Sequence, residues 1–350
     1  MYKVVKLLFV KLIGVVIVFG FSSLSSAENL ISHPDVQAQR DCFRQNFSDF
    51  ATWRSSMANK YQRKLKSEKK VARALARFDR SFNEEKFLTY QNTLTCQTFD
   101  YFVDGHKVRG FIVKPKTAAE QKLPVLVYNR GGNGNFGAVV FGSMMRNLFP
   151  VAKAGFVIIG SQYRGTFNRK RIKAFDDQFG GDDVNDVLAL LDYIPEIAGA
   201  DPEKIGMFGA SRGGMQTYLA LKQTKQAQQV KAVAVIAGVT DLAVGLQQRP
   251  AMEKVYKKRI PNYENNKTAE LEKRSVLHWL DELPNNVPML LLHGTADKRV
   301  SVEHSKTLAA ALDEAGLPNK LVIYPDDNHG LTANKTKATQ EIVTWFKKYL

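Results

Sequence analysis

Apolar and polar positions alternate with two different periods along this chain, and the change between them falls near Leu94. From about Val36 to Gln91 the sequence is polar, basic and free of Gly and Pro. Its apolar residues recur at helical spacing through Phe43, Phe47, Phe50 and Trp53, and again through Val71, Leu75 and Phe78. The spacing predicts two or three helices with the lysines and arginines on a solvated face. Beyond Leu94, two β-rich runs, Thr98–Val103 and Lys107–Val113, flank Asp104-Gly105, a dipeptide that favours the tight turn of a hairpin. Short, nearly continuous apolar runs follow at Pro124–Tyr128, Phe156–Ile159, Ile205–Phe208, Val230–Ile236, Met289–Leu292 and Leu321–Tyr324. Such runs suit parallel strands buried on both faces. Helical patterns at Val184–Tyr193, Gly213–Gln223, Ser305–Glu314 and Gln340–Leu350 supply the crossovers. The expected fold class is α/β: a mostly parallel sheet entered by an antiparallel hairpin, with helices on both faces. Residues 241–287, with Tyr256, Tyr263 and Trp279, are expected to form helices over the sheet edge.

The first 27 residues stand apart. Lys3, Lys6 and Lys11 precede an apolar stretch, Leu12 to Phe21, and small residues at Ser25 and Ala27. This reads as a cleavable signal peptide. The apolar stretch is too short for the roughly 20 residues that span a bilayer. The expected organisation is a signal peptide at 1–27, a helical segment at 28–93 and a catalytic domain at 94–350, working in the periplasm or outside the cell. The 350 residues contain 2 cysteines, too few for a disulfide scaffold or a cysteine-ligated zinc site. In an oxidising compartment Cys42 and Cys96 are free to pair.

The chemistry concentrates after three strand-like runs. Gly209-Ala210-Ser211-Arg212-Gly213-Gly214 follows Ile205–Phe208 and opens a helix. A G-x-S-x-G between strand and helix is the pattern of a nucleophile elbow, whose sharp turn leaves no room for neighbouring side chains. A serine nucleophile needs a base, and the base a carboxylate to orient it. His293-Gly294-Thr295-Ala296-Asp297 follows Met289–Leu292, and Asp326-Asp327-Asn328-His329-Gly330 follows Leu321–Tyr324. Asp297 and His329 therefore emerge at the edge where open α/β sheets collect their catalytic groups. Asp326 and Asp327 compete with Asp297, but they stand too close to His329 in sequence to reach its ring readily. His293, at a strand end, reads as structural. Ser211, His329 and Asp297 are the expected nucleophile, base and orienting acid, so activity should fall as pH drops through the histidine range.

From Thr98 to Leu350 the chain resembles the catalytic domain of the prolyl oligopeptidase family, within the α/β-hydrolase fold. The resemblance rests on this triad order together with Tyr163-Arg164-Gly165, Gly180-Gly181-Asp182-Asp183, Arg274-Ser275 and His293-Gly294…Asp297…Val300. It implies a serine hydrolase acting through an acyl-enzyme. One oxyanion donor would be the backbone N–H of Arg212; the other would come from Arg130-Gly131-Gly132. The family usually has Tyr or His where Arg130 stands, so either loop amides or the guanidinium itself would serve. The segment before the hairpin is too short for even two propeller blades of about 40 residues. A propeller is therefore not expected, and neither is the dipeptidyl specificity that its acidic pair confers.

Other motifs bound the reading. Gly132-Asn133-Gly134-Asn135-Phe136-Gly137 is a literal GxGxxG, but no Asp or Glu lies between Gln121 and Phe175 to meet a ribose. No dinucleotide or other cofactor is expected, and no metal: the aspartates at 176–186 lack calcium-loop spacing. Lys+Arg 50 against Asp+Glu 34 gives a net charge of +16. The acid-free stretch holds several of these cations, including Arg164 and Arg169–Lys173, offset by Asp176, Asp177, Asp182, Asp183 and Asp186 as a surface balance. Without a nucleic-acid motif, no nucleic-acid partner is expected. The charge instead suggests anionic substrates or an anionic cell surface. The expected substrate is a small molecule or short peptide. Carboxylesterase activity on the same triad, and a catalytically silent binding protein, are the alternatives.

Overall fold

A computed structural model describes residues 29–119, 121–167, 176–223 and 229–350. The expected signal peptide at 1–27 and the basic run at 169–173 lie outside the described residues. The chain begins with a strand, β1 (Gln37–Asp41), followed by three helices, α1 (Phe50–Lys64), α2 (Glu68–Ser81) and α3 (Glu84–Thr93). Asp49 starts α1 by accepting the Thr52 N–H at 2.7 Å, and Asn83 starts α3 by accepting that of Lys86 at 2.9 Å. Strands β2 (Leu94–Val103) and β3 (His106–Pro115) form the hairpin. Its turn residues Asp104 and Gly105 both adopt positive φ, 50° and 74°, as a two-residue turn between right-twisted strands requires.

The rest alternates. Strand β4 (Leu123–Asn129) leads to α4 (Phe141–Asn147) and α5 (Phe149–Lys153), then β5 (Val157–Ser161), α6 (Asn185–Asp192), β6 (Ala200–Ala210), α7 (Arg212–Lys222) and β7 (Val230–Ile236). Three short helices, α8 (Leu242–Gln248), α9 (Glu253–Arg259) and α10 (Lys267–Glu272), precede β8 (Met289–Gly294), α11 (Glu303–Glu314), β9 (Asn319–Tyr324) and α12 (Lys335–Tyr349). The sheet runs β1-β2-β3-β5-β4-β6-β7-β8-β9. β4 to β9 are mutually parallel, and β1 to β3 join antiparallel. One face packs against α6, α7, α11 and the α8–α10 segment; the other packs against α1–α5 and α12. The expected α/β architecture is present.

The segment before the hairpin differs from the expectation of helices alone. β1 extends the sheet at its edge, with a register break between Gln37 and Arg40 and positive φ at Ala38. Its residues are mostly exposed, so no apolar alternation marks it in the sequence. Immediately after β1, Cys42 is bonded to Cys96 of β2, with Cα atoms 5.3 Å apart. The helices are docked rather than appended. Phe47 stacks on Phe141 of α4 at 4.5 Å between ring centroids, and Trp53 meets Phe78, Phe82 and Phe141 within 5.0 Å.

Candidate active site

β6 ends at Ala210, and Ser211 turns the chain into α7 at φ 59°, ψ −125°. This conformation is uncommon for a residue with a side chain and places its strain at one position. The packing explains the neighbouring glycines: a Cβ on Gly209 would lie 2.3 Å from the Gly213 carbonyl oxygen, and one on Gly213 would lie 1.9 Å from that of Asn129. The Ser211 N–H donates to Ile236 O of β7 at 2.8 Å, fixing the elbow to the sheet. Arg212 is the first residue of α7, so its N–H has no acceptor within the helix.

Asp297 and His329 leave the ends of β8 and β9, and the structure brings them together. His329 Nδ1 lies 2.6 Å from Asp297 Oδ2. The Asp297 side chain is fully buried, while the His329 side chain keeps 18% exposure. Oδ1 of Asp297 accepts the backbone N–H groups of Arg299 at 2.7 Å and Val300 at 3.1 Å. His293 supplies a second imidazole: its Nε2 lies 3.2 Å from Asp297 Oδ2 and 3.0 Å from Val300 O, and its Nδ1 lies 2.7 Å from Ser305 Oγ. Burial alone would raise the Asp297 pKa, but the hydrogen bonds from His293 and His329 outweigh it and hold the carboxyl well below the ordinary range. Asp327 is turned away, accepting from Asn328, Ala333 and Asn334 to shape the loop that carries His329. Among the described residues no hydrogen bond joins Ser211 to His329.

The Arg130-Gly131-Gly132 loop lies against the serine. A Cβ on Gly131 would come within 3.2 Å of Ser211 Cβ and 2.9 Å of Ala210 O. The guanidinium of Arg130 does not face this space, contrary to one of the two roles expected for it. It is fully buried and donates to Gln162 O, Gly131 O, Phe136 O, Gly134 O and Thr166 Oγ1. With five acceptors around it, it braces the loop from beneath. Burial pushes its pKa down to about 10, so it stays charged at neutral pH.

Tyr163, at φ 61°, donates its hydroxyl to Arg130 O at 3.0 Å. In a trans peptide the following N–H, that of Gly131, points the opposite way. The GxGxxG loop closes on itself through Asn133 N to Phe136 O and Phe136 N to Asn133 O, each 3.0 Å. Gly134 N donates to Asp177 Oδ2 at 2.6 Å, so a carboxylate already occupies the place a phosphate would take.

The sequence reads the 176–186 aspartates as a surface balance; in the structure three of them, Asp177, Asp183 and Asp186, are buried partners. Arg212 pairs with Asp177 at 2.8 Å and with Asp183, all three buried. Arg164 pairs with Asp186 at 2.8 Å and with Asp104 at 2.7 Å. Arg259 of α9 reaches Asp176 at 3.2 Å and lies against Gly134. This network, with the Arg212 guanidinium also bonded to Gly132 O at 2.9 Å, ties the serine helix to the loop opposite. The clue in the sequence was an acidic run directly after a stretch holding only bases.

A model of the prolyl oligopeptidase family matches residues 142–350, more than half of the chain. The chain belongs to the prolyl oligopeptidase family. It is accordingly a serine hydrolase with the α/β-hydrolase fold. Among family relatives, it is 24% identical over 265 residues to the uncharacterized peptidase YtmA of Bacillus subtilis, covering 75% of this chain and 98% of that protein. It is 26% identical over 262 residues to acylamino-acid-releasing enzyme 1 of Oryza sativa subsp. japonica, covering 71% of this chain but only 33% of that enzyme. The solved acylaminoacyl peptidase of Pyrococcus horikoshii superposes with a TM-score of 0.64 at 21% identity, over 77% of this chain and 44% of that one. The chain thus spans nearly all of the small relative and less than half of the larger ones.

Proposed function

We propose that this protein hydrolyses amide bonds in short peptides or aminoacyl derivatives, outside the cytoplasm, through Ser211, His329 and Asp297. The observation that carries the reading is the 2.6 Å contact between His329 and the buried Asp297 at the sheet edge that also presents Ser211 in a strained elbow. Ser211 Oγ attacks the carbonyl carbon while His329 Nε2 takes its proton; the same proton then goes to the leaving amine. Asp297 keeps Nδ1 protonated, so Nε2 is free to accept. The Arg212 and Gly131 amides stabilise the oxyanion, the second oriented by Tyr163. Water then attacks the acyl-enzyme, with His329 again as base. The names of the peptidase relatives favour amide substrates, and the Cys42–Cys96 bond favours an oxidising compartment.

The test is kcat/KM for a matched acyl anilide and acyl ester, each against a Ser211→Ala control. Anilide turnover that vanishes in the variant supports the proposal. Ester turnover without anilide cleavage would make the protein a carboxylesterase on this scaffold.

A further inference from the structure

Between the N-terminal helices and α4 lies a cavity of about 590 Å³ that the triad does not use. Its size falls in the range of small-molecule sites, roughly 300–1,000 Å³. Trp53, Phe78, Phe82 and Phe141 supply the aromatic walls. The charged part of the lining is of one sign: Lys60 of α1, Arg77 of α2 and Arg146 of α4 line it, and no Asp or Glu does. Among the described residues none of these three cations has a carboxylate partner within ion-pair distance. Arg146 instead sits over the Phe82 ring, 5.2 Å from its centroid. Three elements thus converge to place unneutralised cations around an apolar chamber. All three cations are solvent-exposed, so the cavity presents a positively charged mouth over aromatic walls, which complements a ligand with an anionic head and an apolar body.

We propose that this cavity binds an amphiphile with one anionic head and an aliphatic tail, a long-chain carboxylate. The tail lies against Trp53, Phe78 and Phe141; the head sits among Lys60, Arg77 and Arg146. A zwitterionic or cationic head would forgo the attraction, and a peptide with acidic and basic side chains would bring like charges to the rim. No residue of the triad or of the Arg130-Gly131-Gly132 loop lines the cavity, so its occupancy can be read separately from the hydrolase reaction.

Dodecanoate below its micelle concentration is the probe, followed by titration calorimetry on the full chain, with dodecanol and dodecyltrimethylammonium as equal-length controls. Saturable binding of one dodecanoate, tighter than either control and weakened by salt, is the expected result. Lys60→Gln/Arg77→Gln changes two exposed side chains and should weaken dodecanoate by roughly tenfold while leaving dodecanol unchanged. Ala74→Phe fills the chamber without touching its charge and should abolish binding of all three. Anilide or ester turnover should be the same in these variants as in the parent, which separates this proposal from the one above. Equal affinity for the three probes, binding that survives Ala74→Phe, or a concentration-dependent dimer that excludes dodecanoate would each overturn it.

Discussion

Asp297 shows how much of this site is built around one side chain. One carboxylate oxygen faces two imidazoles and the other accepts two backbone N–H groups, so all its lone pairs are spent on orientation. Asp297→Asn keeps the shape but reverses a hydrogen bond, favouring the wrong tautomer of His329. kcat should fall by about 10⁴-fold with little change in KM, as steady-state kinetics on the ester would show. Tyr163 acts one step removed. In Tyr163→Phe the ring still packs, but the Arg130–Gly131 peptide loses its anchor. kcat should drop roughly fivefold to tenfold, in line with one hydrogen bond of about 1 kcal/mol, with KM nearly unchanged and the thermal midpoint lowered by about 2–4 °C. A parallel rise in KM would assign Tyr163 to substrate binding instead. Ser211, Asp297 and His329 were legible because each follows its own strand in a local motif. The Tyr163 and Arg212 contacts were not, since their partners lie 33, 35 and 29 residues away in sequence.

At the scale of elements, legibility followed burial. Strands β4 to β8 are buried in the sheet interior, and continuous Val/Ile/Leu runs announced them; β9 is a half-buried edge whose Leu-Val-Ile-Tyr run still announced it, whereas β1 is an exposed edge without such a run and announced nothing. The same was true of Asn129, whose backbone meets the serine elbow: only the folded chain reveals why Gly213 must be glycine there. What holds β1 and the docked helices is partly covalent. The Cys42–Cys96 bond closes a segment with a sequence separation of 54 that contains α1, α2 and α3. The chain-entropy argument gives such a loop about 4 kcal/mol, and measured values typically run about 2–4 kcal/mol. Cys42→Ser/Cys96→Ser should therefore lower unfolding free energy in urea by about 2–4 kcal/mol. Turnover at 25 °C should persist, because the triad residues follow the ends of β6, β8 and β9, outside the segment that the disulfide closes. Wild-type protein unfolded with reductant should match the double variant. Unequal midpoints would mean that the serines themselves disturb the packing around Met144.

Over the whole molecule, stability should be strongly asymmetric in pH, and its sign follows from the carboxyls held below their ordinary pKa. Asp183 is opposed by burial, yet Arg212 and the backbone N–H groups of Gln178 and Gly180 hold its pKa below the ordinary value. Asp297 behaves likewise through its two histidines, and Asp104 through Arg164 and Asn185. A carboxyl whose folded pKa is depressed stabilises the native state above its unfolded value, about 4, and that contribution is lost as pH falls toward the folded value. Protonation also adds to a chain already carrying +16 at pH 7, so self-repulsion grows in the same window. Asp186 runs the other way, since burial pushes its carboxyl up to about 7 despite Arg164, so its contribution grows as pH falls through 7. Urea midpoints should hold or rise slightly from pH 8 to about 5 and fall steeply below about 4. Asp183→Asn isolates one member of the set. It leaves Arg212 with one buried partner fewer and should cost about 3–5 kcal/mol at pH 7. Because a proton-binding site is gone, its stability should also decline less steeply with acidification, by up to one proton in the slope of unfolding free energy against pH. If the variant loses stability at pH 7 but keeps the full acid slope, Asp183 acts through packing alone. The acid response would then belong to Asp297, Asp104 and the remaining hydrogen-bonded carboxylates.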